Sequence, residues 1–321
     1  MLQLLLGGSG SGKTTLLYQR IRARAEKGEK SILLVPEQFT SSTEGRIYRE
    51  LGDALSGMVE SFSFTSLAEK ILSTEGGAAV QTLSDAGRAV LVRRALEELQ
   101  DNVHYYHRHR RSAAFCQMAA QTIDELKSAG LSGRQLAQLA GACGAESGKL
   151  SELALIFQGY ETLLARSGMD PSDRLELAGA RLEEALARHS LPEFLRDRAV
   201  FIDEFDTFNA PKKRLLGAML AALPSVTVAL CDDGAPLLPG DLSLFSGAKQ
   251  VAAQLRQLAR KNGAEVAVPQ LLRKDLRHRN APGLAAVAEL LETGSCTADA
   301  PAGEVRLFAA PSREEEARAA A

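Results

Sequence analysis

The residues with the clearest chemical capacity form one short run, Gly7-Gly8-Ser9-Gly10-Ser11-Gly12-Lys13-Thr14. This run satisfies every fixed position of the phosphate-loop pattern G-x-x-x-x-G-K-[ST]. Its glycines let the backbone turn several N–H groups toward one anion, and a helix opening directly after the turn adds its own unpaired donors. In such a loop Gly7, Gly8, Ser9, Gly10, Ser11, Gly12 and Thr15 hold a phosphate chain, Lys13 reaches its β- and γ-phosphates, and the Thr14 hydroxyl ligates Mg²⁺. A second run, Ala199-Val200-Phe201-Ile202-Asp203-Glu204, is apolar and ends in two carboxylates. Beside a phosphate loop, the first carboxylate positions Mg²⁺ partly through its water shell, and the second polarises an attacking water. Lys13, Asp203 and Glu204 are therefore the candidate catalytic set, Thr14 and Asp203 the candidate metal ligands, and ATP with Mg²⁺ the expected cofactors.

These residues need a sheet to bring them together. Leu2 to Leu6 is short and apolar, as a buried parallel strand is, and the stretch from Thr15 to Ala25 has the period of an amphipathic helix. Ser31 to Val35 reads as a second buried strand, closing a β-α-β unit before Pro36. A helix from Ser42 to about Leu55, a strand at Met58–Ser61 and a helix capped by Ser66 follow. After Gly76-Gly77 the segments 84–101, 112–128, 132–141, 149–166 and 172–189 have helical periodicity and no strand signal intervenes. The strand before Asp203 resumes the sheet. A helix from Asn209-Ala210-Pro211 to Leu223, a strand at Val226–Leu230, a helix over 244–262, a last strand at Glu265–Val268 and a helix over 282–291 complete it. The expectation is an α/β fold with a parallel sheet, helices on both faces and a large all-helical insertion. Residues 1–80 and 196–292 then form one domain in two parts, with 81–195 inserted between them. Gly294 to Gly303 reads as a linker. Val305–Phe308 and the helix from Arg313 open a unit that does not close, which predicts a longer chain.

Residues at the carboxyl ends of such strands face ligands. Pro36, Gln38 and Thr40 follow the second strand and are candidate nucleic-acid contacts, although Glu37 and Thr40 equally suit a helix cap. Ser61, Phe62 and Phe64 follow the third strand, where the two rings either stack on bases or pack into the core. Within the helical insertion, His104-Tyr105-Tyr106-His107-Arg108-His109-Arg110-Arg111 interleaves cations with rings. Arg108, Arg110 and Arg111 are candidate phosphate contacts for single-stranded DNA, or else belong to a solvated loop. Cys231-Asp232-Asp233-Gly234, after the strand at 226–230, either meets the terminal phosphate or nucleic acid or is only a turn.

Composition narrows the class. The 321 residues carry 38 Lys and Arg against 40 Asp and Glu, a formal charge of −2, so no field over the whole molecule attracts DNA and any basic footprint must be local. Cys116, Cys143, Cys231 and Cys296 are far apart, which predicts neither a zinc site nor a disulfide framework and fits a reducing cytoplasm. The first strand begins almost at Met1, leaving no room for a signal peptide, and no run of 18 apolar residues predicts a membrane span.

Gly7–Thr14, Leu33-Leu34-Val35-Pro36-Glu37-Gln38, Ser61-Phe62, Phe201-Ile202-Asp203-Glu204-Phe205 and Arg306–Ala317 together resemble the amino-terminal region of the AddB/RexB subunit of bacterial ATP-dependent helicase-nucleases. That family is related to superfamily 1 helicases of the UvrD/RecB type. The resemblance implies a RecA-like nucleotide domain and a cytoplasmic heterodimer with an AddA partner that processes double-stranded DNA ends for recombinational repair. Under it, Gly12, Lys13 and Thr14 inherit nucleotide binding and Asp203 and Glu204 the helicase acidic box. Pro36 to Thr40 inherits backbone contact with DNA, and Ser61 to Leu67 is similar to the T-F-H-S-L segment. Nuclease and iron–sulfur residues belong to the family's distant C-terminal region, so the resemblance assigns none of the four cysteines to a cluster.

The chain also departs from the helicase pattern. No glutamine motif of the adenine-binding type precedes the loop, and Leu230–Gly234 lacks the glutamine and tyrosine of the related G-D-x-x-Q-S-I-Y segment. Arg279 corresponds loosely to the arginine of the N-Y-R segment. The resemblance further implies that an arginine from a second RecA-like domain completes the site, and loss of such a finger costs about 10³–10⁵ in turnover. These residues alone are thus expected to bind ATP better than they hydrolyse it. Two other readings stay open: a nucleotide-binding, DNA-scanning scaffold with little motor activity of its own, and a small-molecule or nucleotide kinase whose lid is the helical insertion.

Overall fold

Alternate residues of each strand point to opposite faces of a sheet, and in this chain both faces are apolar. In the first strand, β1 (Leu2–Gly7), Leu2, Leu4 and Leu6 are buried on one face and Leu5 on the other. The same parity holds in β2 (Ser31–Leu34), where Ile32 and Leu34 oppose Leu33, and in β4 (Ala199–Ile202), where Val200 and Ile202 oppose Ala199 and Phe201. Strands apolar on both faces need helices on both faces, which is the condition for an all-parallel sheet. The computed structural model has that sheet, six parallel strands in the order β3-β2-β4-β5-β1-β6, with β3 (Val59–Phe62), β5 (Ser225–Cys231) and β6 (Gln270–Leu272). It describes every residue except 80, 145–146, 296–304, 307 and 321.

Helices α1 (Lys13–Ala25) and α2 (Thr40–Leu51) cover one face, and the short α3 (Asp53–Ser56) follows after Gly52. Gly52, at φ 75°, ends α2, so the helix expected to run to Leu55 is two. The other face carries α4 (Phe64–Glu75), α9 (Pro171–Ala187), α10 (Ala210–Ala222) and α11 (Ser246–Lys261). Between α4 and α9 run α5 (Asp85–Glu98), α6 (Ala113–Ser128), α7 (Gly133–Ala140) and α8 (Ser147–Ser167). They close around their own core, centred on Phe157, Ile156 and Val92. Buried polar groups join this block to the sheet layer. Lys127 of α6 reaches Asp170 at 2.7 Å and Asp173 at 2.8 Å, and the Tyr160 hydroxyl of α8 donates to Asp170 at 2.6 Å. Last come α12 (Pro282–Thr293) and α13 (Arg313–Ala320).

Three local expectations shift. Ser63, not Ser66, is the cap of α4; Ser66 is the third helical residue and completes a capping box by returning a bond to the Ser63 N–H. The last strand lies at Gln270–Leu272 rather than Glu265–Val268. Val266 makes only a bridge to Leu2, because Pro269 has no N–H for the ladder and β1 takes up regular pairing again beyond it. Val305, Arg306 and Phe308 are in no strand, and the segment read as a linker falls mostly outside the described residues, as does Cys296. Among the described residues no helix is long and apolar enough to cross a membrane.

Candidate functional site

The glycine-rich run leaves β1 at Gly7 and enters α1 at Lys13. Gly10 and Gly12 have φ values of 76° and 88°, a left-handed backbone that other L-residues adopt only with strain. No side chain caps α1, so the donors at its N-terminus stay directed into the loop. The Lys13 ammonium curls over that loop and donates to the Gly7 and Gly8 carbonyls at 2.7 and 2.8 Å. Ser11 Oγ is buried and has no hydrogen-bond partner among the described residues.

The acidic pair follows β4. Register places β5 between β1 and β4, with Leu5 beside Ala229 and Ile202 beside Val228. Two strand spacings separate the loop strand from the acidic strand by about 10 Å, room for one hydrated cation and a phosphate between them. Lys13, Thr14, Thr15, Asp203, Glu204 and Cys231 all line a single cavity of about 600 Å³. The intervening strand contributes Ala229, whose small side chain leaves the floor open. Asp203 is 6% exposed, donates its N–H to the Leu34 carbonyl at 3.1 Å, and accepts from the Glu204 N–H at 3.0 Å. Glu204 has φ 64°, a left-handed conformation that is uncommon for a residue with a side chain and that functional sites often hold. Burial, then the adjacent Asp203 carboxylate, raises the Glu204 pKa, while Arg46 and Lys13 oppose the rise.

Two arginines share this cavity without having been expected there. Arg46 comes from α2, its guanidinium 4.9 Å above the ring of Tyr18. Burial raises the Tyr18 phenol to about 12, so it stays neutral. Arg277 lies on a strap after β6 that crosses the loop. Its Nη1 donates to Ser9 Oγ at 3.0 Å, and the Leu276 N–H donates to the Gly10 carbonyl at 3.0 Å. Arg279, suggested by likeness to the N-Y-R segment, is exposed and absent from this lining. Nothing in the local sequence separates Arg46 from Arg49, or Arg277 from Arg279. On the outer side of the loop Glu292 of α12 lies against Gly8, in a hollow that Asp232, Asp233, Arg273 and Lys274 also line. Asp232 spends its carboxylate on the Gly234 N–H at 2.6 Å, a turn within the loop after β5.

The candidate nucleic-acid residues divide into two places. Pro36, Gln38 and Phe64 meet in a smaller hollow of about 270 Å³, which Phe205 and Lys212 complete. Phe64 is 3% exposed, with its ring 5.2 Å from Phe205 and 6.0 Å from Phe208. Buried among these rings, with Lys212 over its face, it offers no open face for base stacking. Phe62 packs on Phe194 at 6.4 Å, again as core, and Ser61 lies within β3 opposite Leu33. The Thr40 hydroxyl is bonded to the Glu37 carbonyl, which makes it part of the turn into α2. Lys212 stands over both Phe64 and Phe205, at 5.5 and 5.4 Å, and burial lowers its pKa. In the helical block, the N–H groups of His104, Tyr105 and Tyr106 converge on the Glu152 carboxylate. The turn so fixed displays Arg108 and Arg111 at the surface and leaves Arg110 beside His107.

Comparison with known proteins was decisive for the family. The family model described as ADDB, N-terminal matches residues 4–288. The chain belongs to the AddB N-terminal family. Curated AddB-type relatives, each named as a subunit of an ATP-dependent helicase/deoxyribonuclease, agree along its whole length. The protein of Desulforudis audaxviator is 34% identical over 333 residues, covering 100% of this chain and 28% of the relative. Those of Symbiobacterium thermophilum and Moorella thermoacetica are each 32% identical, again covering 100% of this chain and 28% of the relative. This AddB N-terminal chain thus spans about 28% of the length of those relatives.

Proposed function

We propose that the cavity between the glycine loop and the acidic strand end binds ATP with Mg²⁺. On this reading the chain is the helicase-like, ATP-binding amino-terminal module of a heterodimeric helicase-nuclease subunit. It works with an AddA-like partner on double-stranded DNA ends, in the cytoplasm. The observation that carries the reading is the meeting of Lys13, Thr14, Asp203 and Glu204 around one cavity although 190 positions of chain separate Lys13 from Asp203.

The donor set fits a magnesium–triphosphate. The uncapped α1 N-terminus and loop amides supply N–H groups to phosphate oxygens, and Lys13 exchanges two backbone carbonyls for phosphate. Thr14 and Asp203 present hard oxygen ligands of the kind Mg²⁺ prefers, with water completing the shell. Bound Mg²⁺ would neutralise charge on the phosphates and polarise the terminal one. Glu204 would accept a proton from the attacking water, and its raised pKa would make it a better base than an ordinary exposed carboxylate. The hollow formed by Pro36, Gln38, Phe205 and Lys212 shares Phe205 with the nucleotide cavity, so DNA held there would sit against the residue that follows the acidic pair.

The test uses the full-length subunit with its partner. Wild type should bind ATP in a Mg²⁺-dependent way, with single-stranded DNA stimulating its turnover, and Lys13→Ala should abolish both. Glu204→Gln should retain binding and lose turnover. Unchanged turnover in Glu204→Gln, with binding intact, would replace the motor reading by a nucleotide-binding scaffold. Phosphoryl transfer to a small acceptor without DNA stimulation would replace it by a kinase.

A further inference from the structure

Several buried or half-buried arginines of this protein are held by carboxylates. Arg24, Arg88, Arg198 and Arg214 each pair with a carboxylate. Arg46 is different. Its contact is the face of Tyr18, and among the described residues its guanidinium enters no ion pair, although Asp203 and Glu204 line the same cavity. Tyr18 is 4% exposed, so the ring is a fixed platform, and α2 is itself anchored by Thr43, Ile47 and Leu51. A planar cation stacked on a held ring keeps its N–H edges free for another group and loses little freedom when it forms a bond.

The walls of the cavity say which group that is. Arg46 faces two adjoining hollows, of about 600 and 210 Å³, and Thr14, Asp203 and Glu204 line both. The smaller hollow includes neither Ser9, Gly10 nor Arg277, so Arg46 stands on the side of Thr14, Asp203 and Glu204. In a nucleoside triphosphate held by the loop, with Mg²⁺ on Thr14 and Asp203, that side would receive the last phosphate of the chain. A diphosphate held by the same loop would leave it empty. We infer that Arg46 is a phosphate ligand supplied by the nucleotide domain itself, which contacts the terminal phosphate and makes the site discriminate nucleoside triphosphates from diphosphates. The inference rests on the nucleotide-site reading and adds to it a specificity residue that neither the loop motif nor the acidic strand contains.

Equilibrium binding of MgATP and of MgADP to the full-length subunit, with the partner present, tests this. Hydrogen bonds to charged groups, when lost, weaken binding by roughly 10- to 100-fold. Arg46→Ala should weaken MgATP by about that factor and leave MgADP within about twofold, so the preference for triphosphate collapses. Arg46→Lys should recover part of it, since the charge returns without the fork. Thermal unfolding of each variant checks that α2 still seats on Tyr18, and if Arg46→Ala does not fold, Arg46→Gln gives the same comparison. Equal weakening of both nucleotides would make Arg46 a structural residue and overturn the inference, as would no change in either. Wild type that binds neither nucleotide would overturn the site reading as well, a result distinct from any that depends on the Arg46 variants.

Discussion

Gly10→Ala is the sharpest test of how the strap after β6 is held, because Gly28 supplies a matched control. Both glycines have φ 76°, so alanine at either position takes on the same left-handed strain, roughly 1–2 kcal/mol. Around Gly28 an added Cβ meets nothing within 4 Å. At Gly10 it would lie 2.6 Å from Arg277 Cβ and 3.1 Å from Asp275 Oδ1, too close to a backbone-proximal atom for a rotamer change to relieve. The strap must lift, losing the Leu276 N–H bond to the Gly10 carbonyl and the Arg277 bond to Ser9, each 3.0 Å long. At roughly 0.5–1.5 kcal/mol net per bond, the total for Gly10→Ala comes to about 2–5 kcal/mol. Chemical denaturation measures the difference between the two variants. Limited trypsin digestion measures where it arises, since Arg273, Lys274, Arg277 and Arg279 lie in or beside the strap. Equal destabilisation of both variants, with no faster cleavage at those sites in Gly10→Ala, would refute the contact argument.

Lys127→Met should cost roughly 3–5 kcal/mol in denaturant unfolding, because it leaves the Asp170 carboxylate, 1% exposed, without its cation; a loss below about 1 kcal/mol would show that Tyr160 and the helix cap suffice. Lys212→Met should lower affinity for single-stranded DNA and reduce the steepness of its salt dependence by about 0.7, the share of one phosphate contact. The melting temperature should not fall, since burial already works against the charged amine, and an unchanged salt slope would remove Lys212 from the DNA footprint.

How far each feature could be read depends on how local its cause is. The phosphate loop is eight consecutive residues whose backbone needs are written in their own types, so Gly7 to Thr14 is legible before any fold is known. The acidic pair is nearly as local, being the end of an apolar strand. Strand parity is local too, which is why both layers of the core follow from Leu2, Leu4, Leu5 and Leu6 and their counterparts. Helix boundaries are legible to within a residue or two where a cap or proline marks them, as Asn209 and Pro211 do for α10. They are ambiguous where two residues can cap, as Ser63 and Ser66 can.

The rest belongs to tertiary structure. Arg46, Phe205, Lys212 and Arg277 reach the cavities from α2, α10 and two loops, and none differs in local sequence from its neighbours. The sheet order β3-β2-β4-β5-β1-β6 makes neighbours of strands that are distant in the chain. As a pair of rings Phe62 and Phe64 suit the core more often than a stacking surface, and the packing of Phe205, Phe208 and Phe194 against them decides for the core. Sequence periodicity specifies which face of an element is apolar, whereas the meeting of polar side chains depends on which element lies alongside, and that is settled by the summed packing of the whole sheet.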